Sequence, residues 1–286
     1  MGHLGLAGGR MAESDLRYRL GTGPGGPTIE DGLTWAGEHG FHYLDFNADH
    51  GANALPEWPA ARVAAFRATC ERLDLHSGLH TLSAVNVAEF SPYVSEGVDA
   101  YLQAYVDLAQ RLAARHVIIH AGLHQSSELE QRQRASLERL KRITEYAERA
   151  GVLLLLENLN FEPDVAEMHY MGWSIEELQS YFTAIPSPAL QWGFSANHAH
   201  LTPQSFGGYL DALGLERIGL VLMADCRGTT EEHLLPGEGT LDFAALFRRL
   251  EGAGYRGPHS MTFGNRKEKL AAREFLLAEA ARGMAS

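Results

Sequence analysis

The run Leu153-Leu154-Leu155-Leu156-Glu157-Asn158-Leu159-Asn160 constrains the fold more than any other stretch of the chain. Its apolar part is far shorter than the ~20 residues of a membrane span, and it closes on a carboxylate and two amides. A continuous apolar run ending in polar residues reads as a parallel strand buried on both faces, with its C-terminal end at a site. A buried carboxylate stripped of its partner costs about 3–5 kcal/mol. Glu157 is therefore expected at the strand mouth, facing a metal, an arginine or hydrogen-bond donors.

The rest of the chain repeats this unit. Arg19–Gly23 reads as a first strand, then a Gly/Pro loop through Pro27 and a helix capped by Thr28. Further strands are expected over 41–46, 76–80, 117–122, 153–157, 190–194, 218–223 and 259–263, each followed by an amphipathic helix. Ser174 with Glu177 three residues on is a capping box. Eight strand–helix units without a break in composition predict an α/β protein with a single (β/α)8 TIM barrel over residues 16–286. Residues 1–15, rich in glycine and without a signal-peptide pattern, are expected to be disordered, with Met11 as a candidate start. A doubly wound sheet is the rival, but Pro24 and Pro27 spoil the phosphate-loop geometry of Gly21–Gly26.

Composition narrows the partners. A formal net charge of −12 disfavours a nucleic-acid backbone. No apolar run is long enough for a membrane span. Two distant cysteines, Cys70 and Cys226, fit a reducing, cytoplasmic setting without disulfides or a zinc knuckle. The expected partner is a small-molecule substrate, and a homo-oligomer stays open.

Polar residues gather where the strands end: Asp45, His80, His120, Glu157, Asn158, His198, His200, Asp225, Arg227, Glu231 and His233. Barrel active sites lie at that end, and imidazoles converging with carboxylates are what a divalent metal needs. The segments LLLLENLN, IIHAG, FSANHAH and EEHLLPGEGTLDF, in this order and spacing, resemble the xylose-isomerase-like barrel superfamily of sugar-phosphate isomerases and epimerases and endonuclease IV-type proteins. The resemblance covers about Leu16 to Gly283.

The resemblance implies a metal held by Glu on strand five, Asp on six, His on seven and Glu on eight. Only Glu157 matches; Ser195, Leu222 or Val221, and Thr262 stand at the other three places. The endonuclease branch implies other positions, His80, His120 and Glu157 for one ion, and His198, Glu231 and His233 for another. The expected cofactor is a divalent metal (Mn, Zn, Co or Mg) at a non-standard position, or none. Glu157 and His198 are the expected catalytic pair, and Asp45, Asn158, His200, Asp225 and Arg227 the expected substrate contacts. Arg227 suits a carboxylate or phosphate. Cys226 could be a nucleophile or simple packing, and Trp58, Trp173 or Trp192 a stacking platform or core. The loop Glu162–Tyr170 is long enough for a lid.

Three functions follow. The first is a sugar-phosphate isomerase/epimerase-like enzyme acting on a small carbohydrate or polyol. The second is a hydrolase of a phosphate- or sugar-containing small molecule, by cobamide-remodelling or endonuclease-like chemistry at the residual metal positions. The third is a non-catalytic barrel that binds a ligand or serves a partner subunit.

Overall fold

The computed structural model describes residues 15–125 and 128–285. The expected disorder of residues 1–15 falls, Asp15 apart, outside the described residues, as does residue 286. Eight parallel strands close into a barrel: β1 (Leu20–Thr22), β2 (Tyr43–Phe46), β3 (His76–His80), β4 (Val117–Ile119), β5 (Leu154–Glu157), β6 (Leu190–Ser195), β7 (Ile218–Leu222) and β8 (His259–Met261). Each pairs with its neighbours in sequence, and β8 closes on β1 with Leu20 opposite His259. The predicted (β/α)8 barrel is the fold.

A helix follows each strand, from Ile29–Glu38 to Arg266–Ala285. Thr28 accepts from the Asp31 N–H and Ser174 from the Glu177 N–H, so both expected caps form. The third helix starts at Pro92, earlier than the apolar period from Val98 suggests, because Pro is well placed in a first turn. The long loop after β5 is partly pinned. Its Met168–Tyr170 strand pairs antiparallel with Leu123–Gln125 from the loop after β4.

Strand parity decides what faces the barrel axis, because successive side chains alternate. Leu44, Phe46, Leu79, Val117, Ile119, Leu154 and Leu156 pack outward under the helices. Ile118 and Leu155 pack in a separate inner core with Leu220 and Leu222. Both faces of β5 are therefore buried, which is why its leucine run is unbroken. The same alternation turns Asp45, His80, His120 and Glu157 to the axis. Inside the barrel, Asp45 Oδ1 meets His116 Nε2 at 2.9 Å. A Cβ on Gly78 would lie 2.1 Å from that carboxylate oxygen and 2.2 Å from that nitrogen, so a side chain at 78 and this contact exclude each other. No helix among the described residues is long and apolar enough to cross a membrane.

Candidate metal centre

The C-terminal mouth of the barrel opens into a cavity of about 740 Å³, within the range of small-ligand sites. On its wall, His80 Nε2 lies 3.2 Å from Glu157 Oε2 and 3.2 Å from His120 Nε2, and His120 Nε2 lies 3.3 Å from Glu157 Oε2. These three atoms form a near-equilateral triangle. Ligands about 2.0–2.1 Å from a tetrahedral ion are separated by about 3.3–3.4 Å, so the triangle is one face of such a tetrahedron with the fourth corner open.

The proton count supports a cation. Thr81 Oγ1 donates to the Ile118 carbonyl at 3.0 Å and receives His120 Nδ1 at 3.3 Å. That network assigns the His120 proton to Nδ1 and leaves Nε2 a bare lone pair. Glu157 Oε2 is an acceptor as well. Two acceptors at 3.3 Å repel unless a proton or a cation lies between them. Such a tie on the far ring nitrogen is the usual support of a metal-bound imidazole.

The electrostatics agree. Burial pushes the Glu157 carboxyl upward, yet the close imidazoles of His120, His198 and His80 outweigh it and hold the group well below the usual carboxylate range. Burial pulls His120 down, favouring the neutral imidazole that a metal requires.

A second cluster adjoins the first. His198 Nδ1 lies 2.8 Å from the Asn158 carbonyl and 3.3 Å from Glu157 Oε1. The carbonyl can only accept, so the ring proton sits on Nδ1 and Nε2 is a lone pair. His198 Nε2 is buried without a hydrogen bond, 3.5 Å from Glu231 Oε2. His233 Nδ1 is 3.6 Å from Glu231 Oε1, and His233 adopts a left-handed φ of 49°, costly for a residue with a Cβ. Asn197 Nδ2 donates to Glu231 at 2.7 Å. Ligand atoms of His198, Glu231 and His233 can thus meet on one ion, as can those of His80, His120 and Glu157.

Not every expected residue joins this site. Asn158 is fully buried, with its amide spent on Ser195 N, Ser195 O and Trp192 Nε1; it ties β5 to β6 and is no substrate contact. Asp225 accepts four backbone N–H groups, from Cys226, Gly237, Gly239 and Leu241, which moulds the Pro-Gly-Glu-Gly loop and leaves nothing for a ligand. Arg227 is paired with Glu232, its side chain 58% exposed, outside the cavity wall. His200 turns to Thr240 Oγ1 at 3.0 Å. Of the expected substrate contacts only Asp45 borders the cavity, at its floor, already engaged with His116. Cys226 is buried, and desolvation pushes its thiol up to about 11, which makes it packing rather than a nucleophile. Trp58 and Trp192 are core, and Trp173 stays off the cavity wall.

The cavity instead shows Asn160, Tyr170, Asn197 and Phe263, which the strand-end pattern passed over. Phe263 is 41% exposed and packs on the His233 ring at 4.4 Å. Its signal was its place just past β8. Ser195, Leu222 and Thr262 line the central and opposite wall and bring no carboxylate or imidazole.

The family model of the xylose isomerase-like TIM barrel matches residues 33–285. The chain belongs to that family. Fructoselysine 3-epimerase of Shigella flexneri is 26% identical over 156 residues, which is 53% of each chain, and that of Escherichia coli O157:H7 is 27% identical over 121 residues, 42% of each chain. The chain thus spans about half the length of the curated relatives it matches. Among solved structures, a D-tagatose 3-epimerase-like protein superposes with a TM-score of 0.82 at 21% identity, over 93% of this chain and 98% of that one. L-ribulose 3-epimerase gives 0.75 at 17%, over 94% and 96%. Identity this low carries the fold alone, so the family's chemistry must be weighed residue by residue.

Proposed function

We propose that this chain is a metal-dependent enzyme of the isomerase/epimerase kind on a small carbohydrate or polyol-like substrate, its cation held by His80, His120 and Glu157. The observation that carries the reading is the triangle of 3.2–3.3 Å between acceptor atoms. The sugar-epimerase relatives support the substrate class, as does a cavity roomy enough for a sugar and bordered by Asn160, Asn197 and Tyr170. When bound, the cation supplies Lewis-acid polarisation of a substrate oxygen.

The remaining work falls to the chain's own groups. His198 presents its unprotonated Nε2 to the cavity, with Nδ1 fixed by the Asn158 carbonyl and Glu231 beside it to stabilise the imidazolium. Contacts with Glu157 and Glu231 outweigh the burial penalty and raise His198 above its ordinary range, as suits a base that must keep a proton briefly. Inverting a carbon requires a group on each face. Thr262 supplies no base from the β8 side, so a proton shuttled between adjacent carbons on one face, an aldose–ketose interconversion, fits this site better than epimerisation. Phe263 offers an apolar face to the ring or chain of the sugar.

The test is proton exchange. Protein loaded in turn with Mn²⁺, Co²⁺, Zn²⁺ and Mg²⁺ is incubated with a panel of aldoses, ketoses and their phosphates in D₂O, and deuterium incorporation is followed by NMR. The expected result is metal-dependent exchange that falls at least ~100-fold in His198→Asn. Exchange that is indifferent to both metal and His198 would sink the reading. A hydrolase is the second reading, favoured by the adjoining His198–Glu231–His233 cluster. It predicts two ions per chain and release of phosphate or sugar without deuterium incorporation.

A further inference from the structure

The N-terminal end of a barrel is normally plugged and serves stability. Here it carries a pocket of about 280 Å³, lined by Tyr43, Arg115, His116 and Arg256 with Gly219 and Gly257 at its walls. Parity brings two of these inward: Tyr43 precedes the outward Leu44, and His116 the outward Val117. No carboxylate lines this pocket, in a chain with a formal net charge of −12. Arg115 makes no ion pair among the described residues. Its Nη1 donates to the Tyr43 hydroxyl at 2.7 Å and its guanidinium lies 5.4 Å from the Tyr43 ring centroid, which leaves most of its donor fork open. Arg256 spends Nη1 on the Glu251 and Tyr255 carbonyls and on Glu251 Oε2. At the back, the buried His116 ring is held by Asp45 at 2.9 Å. Both wall glycines are sterically required, since a Cβ on Gly257 would fall 2.3 Å from the Tyr255 hydroxyl and one on Gly219 2.4 Å from Leu155 Cδ2.

We propose that this N-terminal mouth binds a compact oxyanion, gripped by the Arg115 guanidinium and by Arg256. Planar guanidinium forks match two oxygens of a phosphate or carboxylate. The volume admits inorganic phosphate or a small dicarboxylate and is too small for a nucleotide. The site lies at the opposite end of the barrel from the metal centre, so either proposal can fail without the other.

The experiment is thermal unfolding of the full chain, chelated so that no cation at the other mouth can take phosphate, at constant ionic strength in chloride, phosphate or malonate. Wild type should gain about 2–3 °C in Tm at a tenfold excess of anion over Kd. Arg115→Gln, an exposed substitution that leaves the barrel interior alone, should lose that gain, while Arg115→Lys should keep part of it. A response to phosphate alone assigns a phosphoryl ligand, and a response to malonate as well assigns a general oxyanion site. No gain in wild type with either anion, or an equal gain in Arg115→Gln, overturns the proposal. Phosphate ³¹P line broadening, present with wild type and absent with Arg115→Gln, gives a second reading free of unfolding.

Discussion

The two mouths of this barrel obey one rule of strand parity and reach opposite chemistry. At the C-terminal mouth the axis-facing positions are acceptors: His80, His120 and Glu157, with His198 and Glu231 alongside. At the N-terminal mouth the inward positions are Tyr43 and His116, with Arg115 and Arg256 set beside them. The Asp45–His116 pair joins the two, since Asp45 borders the upper cavity and His116 the lower pocket. The upper mouth gathers acceptors, and at the lower one Arg115 makes no ion pair among the described residues, so each is short of counter-charge. That shortage says more about the ligands than the fold does, because many unrelated activities share this fold.

The comparison can be broken first at Glu157. Glu157→Gln keeps the shape but removes the carboxylate that faces three imidazoles. Turnover of any substrate found by the exchange screen should fall at least ~1,000-fold, since ligand charge and the hold on His198 go together. Full activity in this variant would end the case for the upper mouth.

Next comes the link between the mouths. Gly78→Val must push its side chain into the Asp45–His116 contact, which a Cβ alone would meet at 2.1 and 2.2 Å. Overpacking together with a buried carboxylate stripped of its partner should cost about 3 kcal/mol or more, read by urea unfolding. A loss under ~0.5 kcal/mol would mean that the pair is dispensable.

Thr81→Val sharpens the upper mouth without touching a ligand atom. It removes the oxygen that fixes the His120 tautomer, so metal affinity should drop about 10- to 100-fold in a competition titration while the fold survives. Unchanged affinity would contradict the tautomer assignment.

The smallest effect belongs beside the lower mouth. Burial works against the Glu251 charge, but His259 and Arg19 outweigh it and bring its carboxyl down to about 2, from an ordinary 4.5. Its folded value is depressed, so its contribution is fully present above about pH 4.5 and is lost as pH falls toward about 2. With solvent screening this amounts to about 2 kcal/mol. Glu251→Gln should flatten the stability–pH curve over that window, and a parallel curve would show that the pair does not titrate there.

Much of this was legible from sequence because alternation within a strand is strict. The leucines of β5 fix which way Glu157 faces, and the same count turns His120 and His80 inward. Asn158 was legible too, since the residue after an inward Glu157 faces outward; treating every strand-end polar residue alike hid that. Asp225, Arg227 and His200 lie beyond regular strand, where no period says which way a side chain turns. There an acceptor is claimed by the nearest free N–H groups, as Asp225 is by the loop of Gly237 and Gly239. Phe263 and Tyr170 reach the cavity by way of loop paths and the small strand Met168–Tyr170, which depend on pairing distant in sequence. The lower pocket went unread because arginines just before strands are ordinary surface residues unless the fold brings them around one hollow.

The most direct measurement is the metal content of the purified chain by mass spectrometry, for wild type and His120→Ala, after chelation and after exposure to Mn²⁺, Zn²⁺ or Co²⁺ at modest excess. The account predicts about one tightly held ion per wild-type chain, removed by chelation, and affinity at least ~100-fold weaker in His120→Ala, since even outer partners of a metal ligand are worth 10- to 100-fold. A wild-type chain that takes up no ion, or a His120→Ala chain that holds it as tightly, would contradict the account.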